Sequence, residues 1–187
     1  MSDYYKAKIG LFMGSFNPPH IGHREAVLKA LSSGMNRVWV VPSMWNPWKS
    51  EKPVNIEHRF WMTHYEMAGI EDANVMMVIT DPDENGKYYS VDQLRKILRG
   101  YGARNFEFWI IGGEDVTEEI EKWKEGDWIL GNFKTLTIPR PGLSAESSGT
   151  CISSTEVRRM LLAGEDVSGV MCKESIEYIR ENGLYTS

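Results

Sequence analysis

Gly14-Ser15-Phe16-Asn17-Pro18-Pro19-His20-Ile21-Gly22-His23 follows directly on a short apolar run, Lys8–Met13, and leads into a helical pattern, Ile21–Leu31, with Val27, Leu28 and Leu31 expected on one face. A strand, a glycine-bearing loop and a helix in that order form the first half of a βαβ unit. Working outward, the same alternation repeats. Strands are expected at Arg37–Val41, Asn74–Ile79, Phe106–Ile111 and Phe133–Ile138, and helices at Ile56–Ala68, Ser90–Arg99 and Glu114–Trp123. The reading is an α/β fold, a Rossmann-like doubly wound parallel sheet of about five strands with C-terminal helices. After the fifth strand, Pro139-Arg140-Pro141-Gly142 breaks regular structure, and Ser144–Gly149 reads as a mobile loop. Two helices end the chain. One is capped by Ser153 and Glu156 in capping-box spacing and stops at Gly164; the other covers Glu174–Arg180. Residues 1–187 are expected to form a single domain, with its helical part at about 152–187, because that part is too short to hold its own core.

Composition limits the partners. Of 187 residues, 21 are Lys or Arg and 26 Asp or Glu, a net charge of −5, which disfavours general nucleic-acid binding. The apolar runs, such as Val38–Val41 and Phe108–Ile111, are far shorter than a membrane span, and Met1–Lys6 lacks a signal-peptide pattern. Cys151 and Cys172 suggest neither a disulfide framework nor a zinc site. A cytoplasmic protein without nucleic-acid or membrane partners is expected; self-association into a homo-oligomer stays open.

The chemistry gathers at two helix starts. His20 and His23 lie three apart across the first turn of a helix, so they share a face. Free backbone N–H groups and the positive end of the helix dipole are expected beside them, a ready anion site. Gly14 is expected to bring the backbone close to a ligand. The second start is Ile152-Ser153-Ser154-Thr155-Glu156-Val157-Arg158. A plain cap accounts for Ser153 and leaves Arg158 unexplained; hydroxyl and guanidinium donors there suit the outer phosphates of a triphosphate. No side chain reads as a metal ligand.

Together these motifs resemble the nucleotidyltransferase superfamily, with its H-x-G-H loop and I-S-S-T-x-x-R helix start, and within it the nicotinate- or nicotinamide-mononucleotide adenylyltransferases. The likeness spans nearly the whole chain: Arg37–Pro42 with Asn46-Pro47-Trp48-Lys49, Tyr89–Leu94, Ile110-Ile111-Gly112-Gly113 with Trp123, Pro139–Gly142, and the tail Glu174–Tyr185. It departs at Asn17, where bacterial members usually have Asp, and at Trp48, where a His is common.

The resemblance implies attack of a mononucleotide 5′-phosphate on the α-phosphorus of ATP, giving a dinucleotide and pyrophosphate. The nucleophile is already an anion, so alignment and charge stabilisation replace a general base. It assigns His20, His23 and Arg158 to catalysis. ATP contacts fall to Gly14, Ser15, Phe16, Gly22, Lys49, Gly112, Ile152, Ser153, Ser154 and Thr155. The pyridine nucleotide falls to Ser90, Val91, Trp123, Arg140 and an acidic residue, Glu114 or Asp115. Mg²⁺ is expected, held mainly by ATP phosphates and water. Trp123 reads either as a stacking plate for the pyridine or as core, while Trp39 and Trp109 read as packing. Trp45 and Trp48 read as ligand or partner contacts, and His58 and His64 as structural or solvated. Arg59 is a second-tier phosphate candidate. Competing readings are a phosphopantetheine adenylyltransferase and a nucleotide-sensing protein without turnover.

Overall fold

The computed structural model describes residues 6–45, 52–102, 105–139 and 152–186. Five parallel strands, β1 (Ala7–Gly14), β2 (Arg37–Pro42), β3 (Ala73–Val75), β4 (Phe106–Gly112) and β5 (Lys134–Thr137), form one sheet in the order β3-β2-β1-β4-β5. The helices are α1 (Ile21–Ser32), α2 (Ile56–Met67), α3 (Ser90–Tyr101), α4 (Glu114–Thr117), α5 (Gly126–Asn132), α6 (Ser154–Leu162) and α7 (Lys173–Glu181). Among the described residues no helix is long and apolar enough to cross a membrane.

Period-two alternation builds both faces of the sheet. Ile9, Leu11, Trp39, Val41, Phe108 and Ile110 pack on one side with Val91, Leu94 and Ile97 of α3. Val38, Val40 and Ile111 pack on the other with Val27 and Ala30 of α1. Leu28, expected on the inner face of α1, is exposed; small Ala30 takes that place against the sheet. A third cluster joins Met62 of α2 to Val157 of α6 and Ile179 of α7, so the C-terminal helices pack on α2.

Two expected elements differ. The third strand ends at Val75 rather than Ile79. Met76 makes the last bond to β2, through the Val40 carbonyl, and β2 then closes on Pro42, which has no N–H. Side chains of α3 take over: Gln93 Nε2 donates to the carbonyls of Pro42 (3.1 Å) and Val78 (2.8 Å), and Lys96 Nζ to that of Ile79 (2.6 Å). The helix expected over Glu114–Trp123 breaks after Thr117 and gives way to a 3₁₀ turn at Ile120–Lys122. Ile120 is fully buried, and the chain doubles back through Glu125, at φ +58°. A Cβ on Gly126 would lie 2.4 Å from the Ile120 carbonyl, so only glycine permits this return into α5.

Strand order reverses between β1 and β4. The crevice beyond their C-terminal ends is the topological switch point where such sheets bind ligands. Gly14 and Gly112 close those two strands.

Candidate active site

His20 is the N-cap of α1, and its ring turns back onto the helix. Its Nδ1 accepts the Gly22 N–H at 3.2 Å, while His23 Nδ1 accepts the His20 N–H at 3.2 Å. The pair is therefore a reciprocal capping box made of two imidazoles. The ring centroids lie 3.9 Å apart, and Phe16 meets His23 edge-on at 4.9 Å. Both Nδ1 atoms act as acceptors, so in the neutral ring the proton sits on Nε2. Burial pushes the His20 pKa down to about 4, so the ring is neutral at pH 7. Protonating Nδ1 would also break the cap.

This geometry corrects the expectation of free amides at α1. The His20 and Gly22 N–H groups are held by the rings, Ile21 donates to the Val170 carbonyl at 2.8 Å and His23 to the His20 carbonyl at 2.9 Å. The Nε2–H edge of His20 and the helix dipole are what this helix offers an anion. The glycine in the motif now has a physical reason. A Cβ on Gly22 would sit 3.1 Å from both Cε1 and Nδ1 of His20.

The second motif differs. Ser153 caps α6 by accepting the Glu156 N–H at 3.2 Å, but the Glu156 carboxylate pairs with Arg159, so only half of the expected capping box forms. The Ser154 and Thr155 amides have no acceptor among the described residues. Here, rather than at α1, the helix start presents open N–H groups to an anion.

The two motifs meet. Arg158 Nη1 donates to the Asn17 carbonyl and Ser154 Oγ to the Pro18 carbonyl, each at 2.8 Å, and Ile152 Cγ2 is 3.7 Å from where a Cβ on Gly22 would stand. Arg158 Nη2 also reaches Thr155 Oγ1 at 3.4 Å. The loop is held from behind by Tyr185, whose hydroxyl donates to Asn17 Oδ1 at 2.7 Å. Burial raises the Tyr185 pKa well above the usual phenol range, so that hydroxyl keeps its proton. Sequence reasoning missed this bond; an aromatic residue just past Gly183 at the chain end was its only signal.

Other expected residues change role. Phe16 is 1% exposed, so its ring is core. A Cβ on Gly14 would lie 3.0 Å from the Phe16 ring, so Gly14 makes room for that ring rather than for a ligand. Gly112 likewise admits Val116, 2.6 Å from its would-be Cβ. Arg59 is buried, and its Nε and Nη1 are taken by structure: they donate to the carbonyls of Ser15 (2.8 Å), Ser43 (2.7 Å) and Val54 (2.9 Å), tying the ends of β1 and β2 to the start of α2. Burial lowers its pKa to about 10, partly offset by Tyr185.

Trp123 is half-buried against the core cluster that includes Val91 and Leu94. Lys124 Nζ lies 4.0 Å over the Tyr89 ring, which brings the segment after Trp123 to the start of α3, and no side chain caps that helix. Val91 is 1% exposed, and its side chain is core. Glu114 and Asp115 both lie in the first turn of α4. Trp39 is buried against Phe106 and Phe108, whereas Trp109 is half-buried with the Lys8 and Lys134 ammonium groups over its ring. His58 Nδ1 meets Tyr178 Oη at 3.0 Å, and His64 is exposed beside Phe60 and Trp61. Trp45 is exposed. Lys49, Trp48, Arg140 and the Ser144–Gly149 stretch lie outside the described residues.

Comparison with known proteins agrees with this arrangement. The Cytidylyltransferase-like family model matches residues 11–160. A "Probable nicotinate-nucleotide adenylyltransferase" of Thermus thermophilus is 33% identical, covering 95% of this chain and 99% of that protein. The nicotinate-nucleotide adenylyltransferase of Bacillus subtilis is 26% identical, covering 96% and 99%. A Plasmodium falciparum nicotinic acid mononucleotide adenylyltransferase, solved in complex with NaAD, shares the fold with a TM-score of 0.71 at 22% identity, covering 97% of this chain and 98% of that one. With two motifs in contact at the switch point and relatives matched over almost their full length, the chain belongs to the nicotinate-nucleotide adenylyltransferase family of nucleotidyltransferases.

Proposed function

We propose that the protein transfers the adenylyl group of ATP to the 5′-phosphate of nicotinate or nicotinamide mononucleotide, at the crevice between β1 and β4, with His20, His23 and Arg158 as the groups that meet the phosphates. The observation that carries this assignment is the contact between the two motifs, Arg158 to the Asn17 carbonyl and Ser154 to the Pro18 carbonyl. That contact sets a cation, two imidazole rings and two open amides around one mouth.

Each residue's part follows from its geometry. The acceptor phosphate is anionic at neutral pH, so it attacks the α-phosphorus without a base, and the obstacle is the approach of two polyanions. The Nε2–H edges of His20 and His23 donate to phosphate oxygens as charge shifts toward the leaving pyrophosphate. The Ser154 and Thr155 amides, with Arg158, hold the outer phosphates. Gly14, Ser15 and Phe16 supply backbone along the nucleotide, Gly22 the clearance for the His20 ring, Gly112 the close strand end, and Ile152 and Ser153 the seat of α6. Lys49 is assigned to a phosphate and Arg140 to the acceptor. The pyridine lies at Trp123, with the amides of Ser90 and Val91 at its carboxylate or carboxamide and Glu114 or Asp115 at the sugar side.

Nucleotidyltransferases generally use a divalent metal. Among the described residues no three His, Cys, Asp or Glu side chains stand together, and the donors round the mouth are neutral or cationic. That set fits a Mg²⁺ ion carried in on the phosphates and completed by water, which when bound lowers the negative charge of the triphosphate.

The test is pyrophosphate release from ATP with nicotinate mononucleotide, nicotinamide mononucleotide and phosphopantetheine in turn. Release with a pyridine nucleotide supports the assignment. Release with phosphopantetheine alone, or with none despite ATP binding, overturns it.

A further inference from the structure

Asn17 stands in the middle of the β1–α1 loop, between Ser15 and His20, and is only 9% exposed. Its Oδ1 receives two donors, the Tyr185 hydroxyl at 2.7 Å and the Val54 N–H at 3.3 Å. A backbone N–H only donates, and the Tyr185 hydroxyl gives its proton to the same oxygen. The oxygen therefore belongs at that end: a flipped carboxamide would face nitrogen toward the Val54 N–H, which can only donate, whereas the Tyr185 hydroxyl can serve either edge. Nδ2, with two hydrogens, takes the opposite edge. It has no acceptor among the described residues.

Nor is it sealed off. Among the described residues the one fully solvent-excluded side-chain polar atom without a partner is Thr80 Oγ1. Nδ2 therefore lies in the sliver of Asn17 that solvent reaches. The same residue's carbonyl accepts from Arg158, so Asn17 itself borders the mouth built from His20 and α6. A buried amide held from behind by two bonds, with its donor edge open, is a preorganised hydrogen-bond donor.

We propose that Asn17 Nδ2 donates to a non-bridging phosphate oxygen of bound ATP, as a further neutral donor beside the His20 and His23 edges, and that Tyr185 is its positioning residue. This rests on the nucleotide reading above. It also gives the departure at position 17 a physical meaning. A carboxylate here would set a bare oxygen toward the phosphates and need a cation between them; the amide meets them with a dipole of the right sign.

Asn17→Asp replaces the donor edge by an acceptor. The carboxylate still accepts from Tyr185 and Val54, so any role in tying the loop survives, while the Nδ2 edge becomes a charged oxygen. ATP affinity measured by calorimetry is expected to fall about 10- to 100-fold, the usual range for losing a hydrogen bond to a charged group, with the melting temperature held. Unchanged ATP affinity in a folded Asn17→Asp protein overturns the proposal. Tyr185→Phe removes the positioning hydroxyl and keeps the ring. It is expected to lower ATP affinity roughly three- to tenfold alone and to add nothing in the Asn17→Asp background; independent, additive losses overturn the positioning role. Should the aspartate variant fail to fold, the unaltered protein still answers. The Asn17 side-chain amide protons, assigned by through-bond NMR, are expected to move downfield when ATP is added, and no movement overturns the proposal. Failure of the adenylyl-transfer reading looks different: the unaltered protein binds ATP yet releases no pyrophosphate with either pyridine mononucleotide.

Discussion

Replacing Gly22 by alanine separates the placement of the His20 ring from its chemistry. The added Cβ would lie 3.1 Å from both Cε1 and Nδ1 of His20 and 3.7 Å from Ile152 Cγ2. Ordinary contacts begin near 3.4 Å, so the ring must retreat by a few tenths of an ångström. It is tethered by the 3.2 Å bond from the Gly22 N–H to its Nδ1, which lengthens as the ring moves. Two stability effects oppose each other. Alanine in the first turn of a helix gains up to about 1 kcal/mol over glycine. A weakened cap loses about the same amount, 0.5–2 kcal/mol being the usual range for losing one outright. Net stability by urea unfolding should therefore stay within about 1 kcal/mol.

Activity has no such compensation. Nε2 lies across the ring from the tether, so tilting displaces the donor directly, and misplacement by about 1 Å can cost 10²-fold. A tilt of a few tenths should lower turnover in the pyrophosphate-release assay by roughly tenfold, with ATP affinity changing less. If the alanine protein keeps its stability and turns over within about twofold of the parent, the cap does not aim the phosphate donor, and the account of this glycine is wrong.

Three further outcomes follow from buried groups. The His20 pKa is about 4 in the folded chain against 6.5 ordinarily, so above pH 6.5 both states are neutral; between pH 6.5 and 4 only the unfolded chain binds the proton. Stability should decline by about 3 kcal/mol as pH falls through that window. His20→Asn, which can still cap the helix, should flatten the decline in urea unfolding across the same pH series; an identical slope in both proteins removes His20 as its source. Glu66, buried at the base of α7 with Oε1 2.7 Å from the Cys172 N–H, has its pKa raised by burial. The unfolded chain releases that proton first, so this group lowers stability as pH rises past the ordinary carboxyl range. Glu66→Gln keeps the acceptor and should melt at or above the parent at pH 8, with its advantage shrinking toward pH 4; a clear loss at pH 8 means the charge is needed there. Arg59→Met strands the Ser15, Ser43 and Val54 carbonyls and should cost about 3 kcal/mol in urea unfolding. A variant of parental stability with weakened ATP binding would instead restore Arg59 as a phosphate ligand.

How far the fold could be read depended on periodicity. β1, β2 and β4 are flanked by two packed layers, and residues such as Val38, Trp39, Val40 and Val41 all become core, which made their type and position plain. β3 was overread because Met76–Ile79 has strand composition, while its partner stops at Pro42 and α3 takes its carbonyls, a tertiary fact with no local signal. The break after Thr117 was missed because Val116, Ile120 and Trp123 keep helical spacing. Gly126 was the sign that the chain turns there.

The candidate site was legible as two motifs. Their contact was not, because Ser154 and Pro18 are 136 positions apart and nothing in either segment names the other. What His20 and His23 do for each other was legible in principle. A polar residue before a helix and an acceptor three positions later is capping-box spacing, and an imidazole Nδ1 can fill either place. Reading the pair only as ligand contacts left the α1 amides open on paper.

That occupation bears on how such a site can favour reaction over mere binding. Fixed charges at the mouth would hold ATP and pyrophosphate about as firmly as the transition state, and uniform binding of that kind does not raise turnover. On the proposed assignment the fixed charges at the phosphates are the Arg158 guanidinium and the Lys49 ammonium, set among neutral donors: two imidazole edges, two open amides and the Asn17 carboxamide. Neutral donors gain most when an oxygen reaches the right place with the right charge, which for the α-phosphoryl oxygens happens as the new bond forms and pyrophosphate departs. The α1 cap serves this end. By taking up the backbone N–H groups, it leaves the Nε2 edges as the directional element, while burial keeps the His20 ring neutral. A triphosphate is then recognised chiefly by the position of its oxygens, and pyrophosphate, once it shifts, loses contacts that a cluster of lysines would have kept.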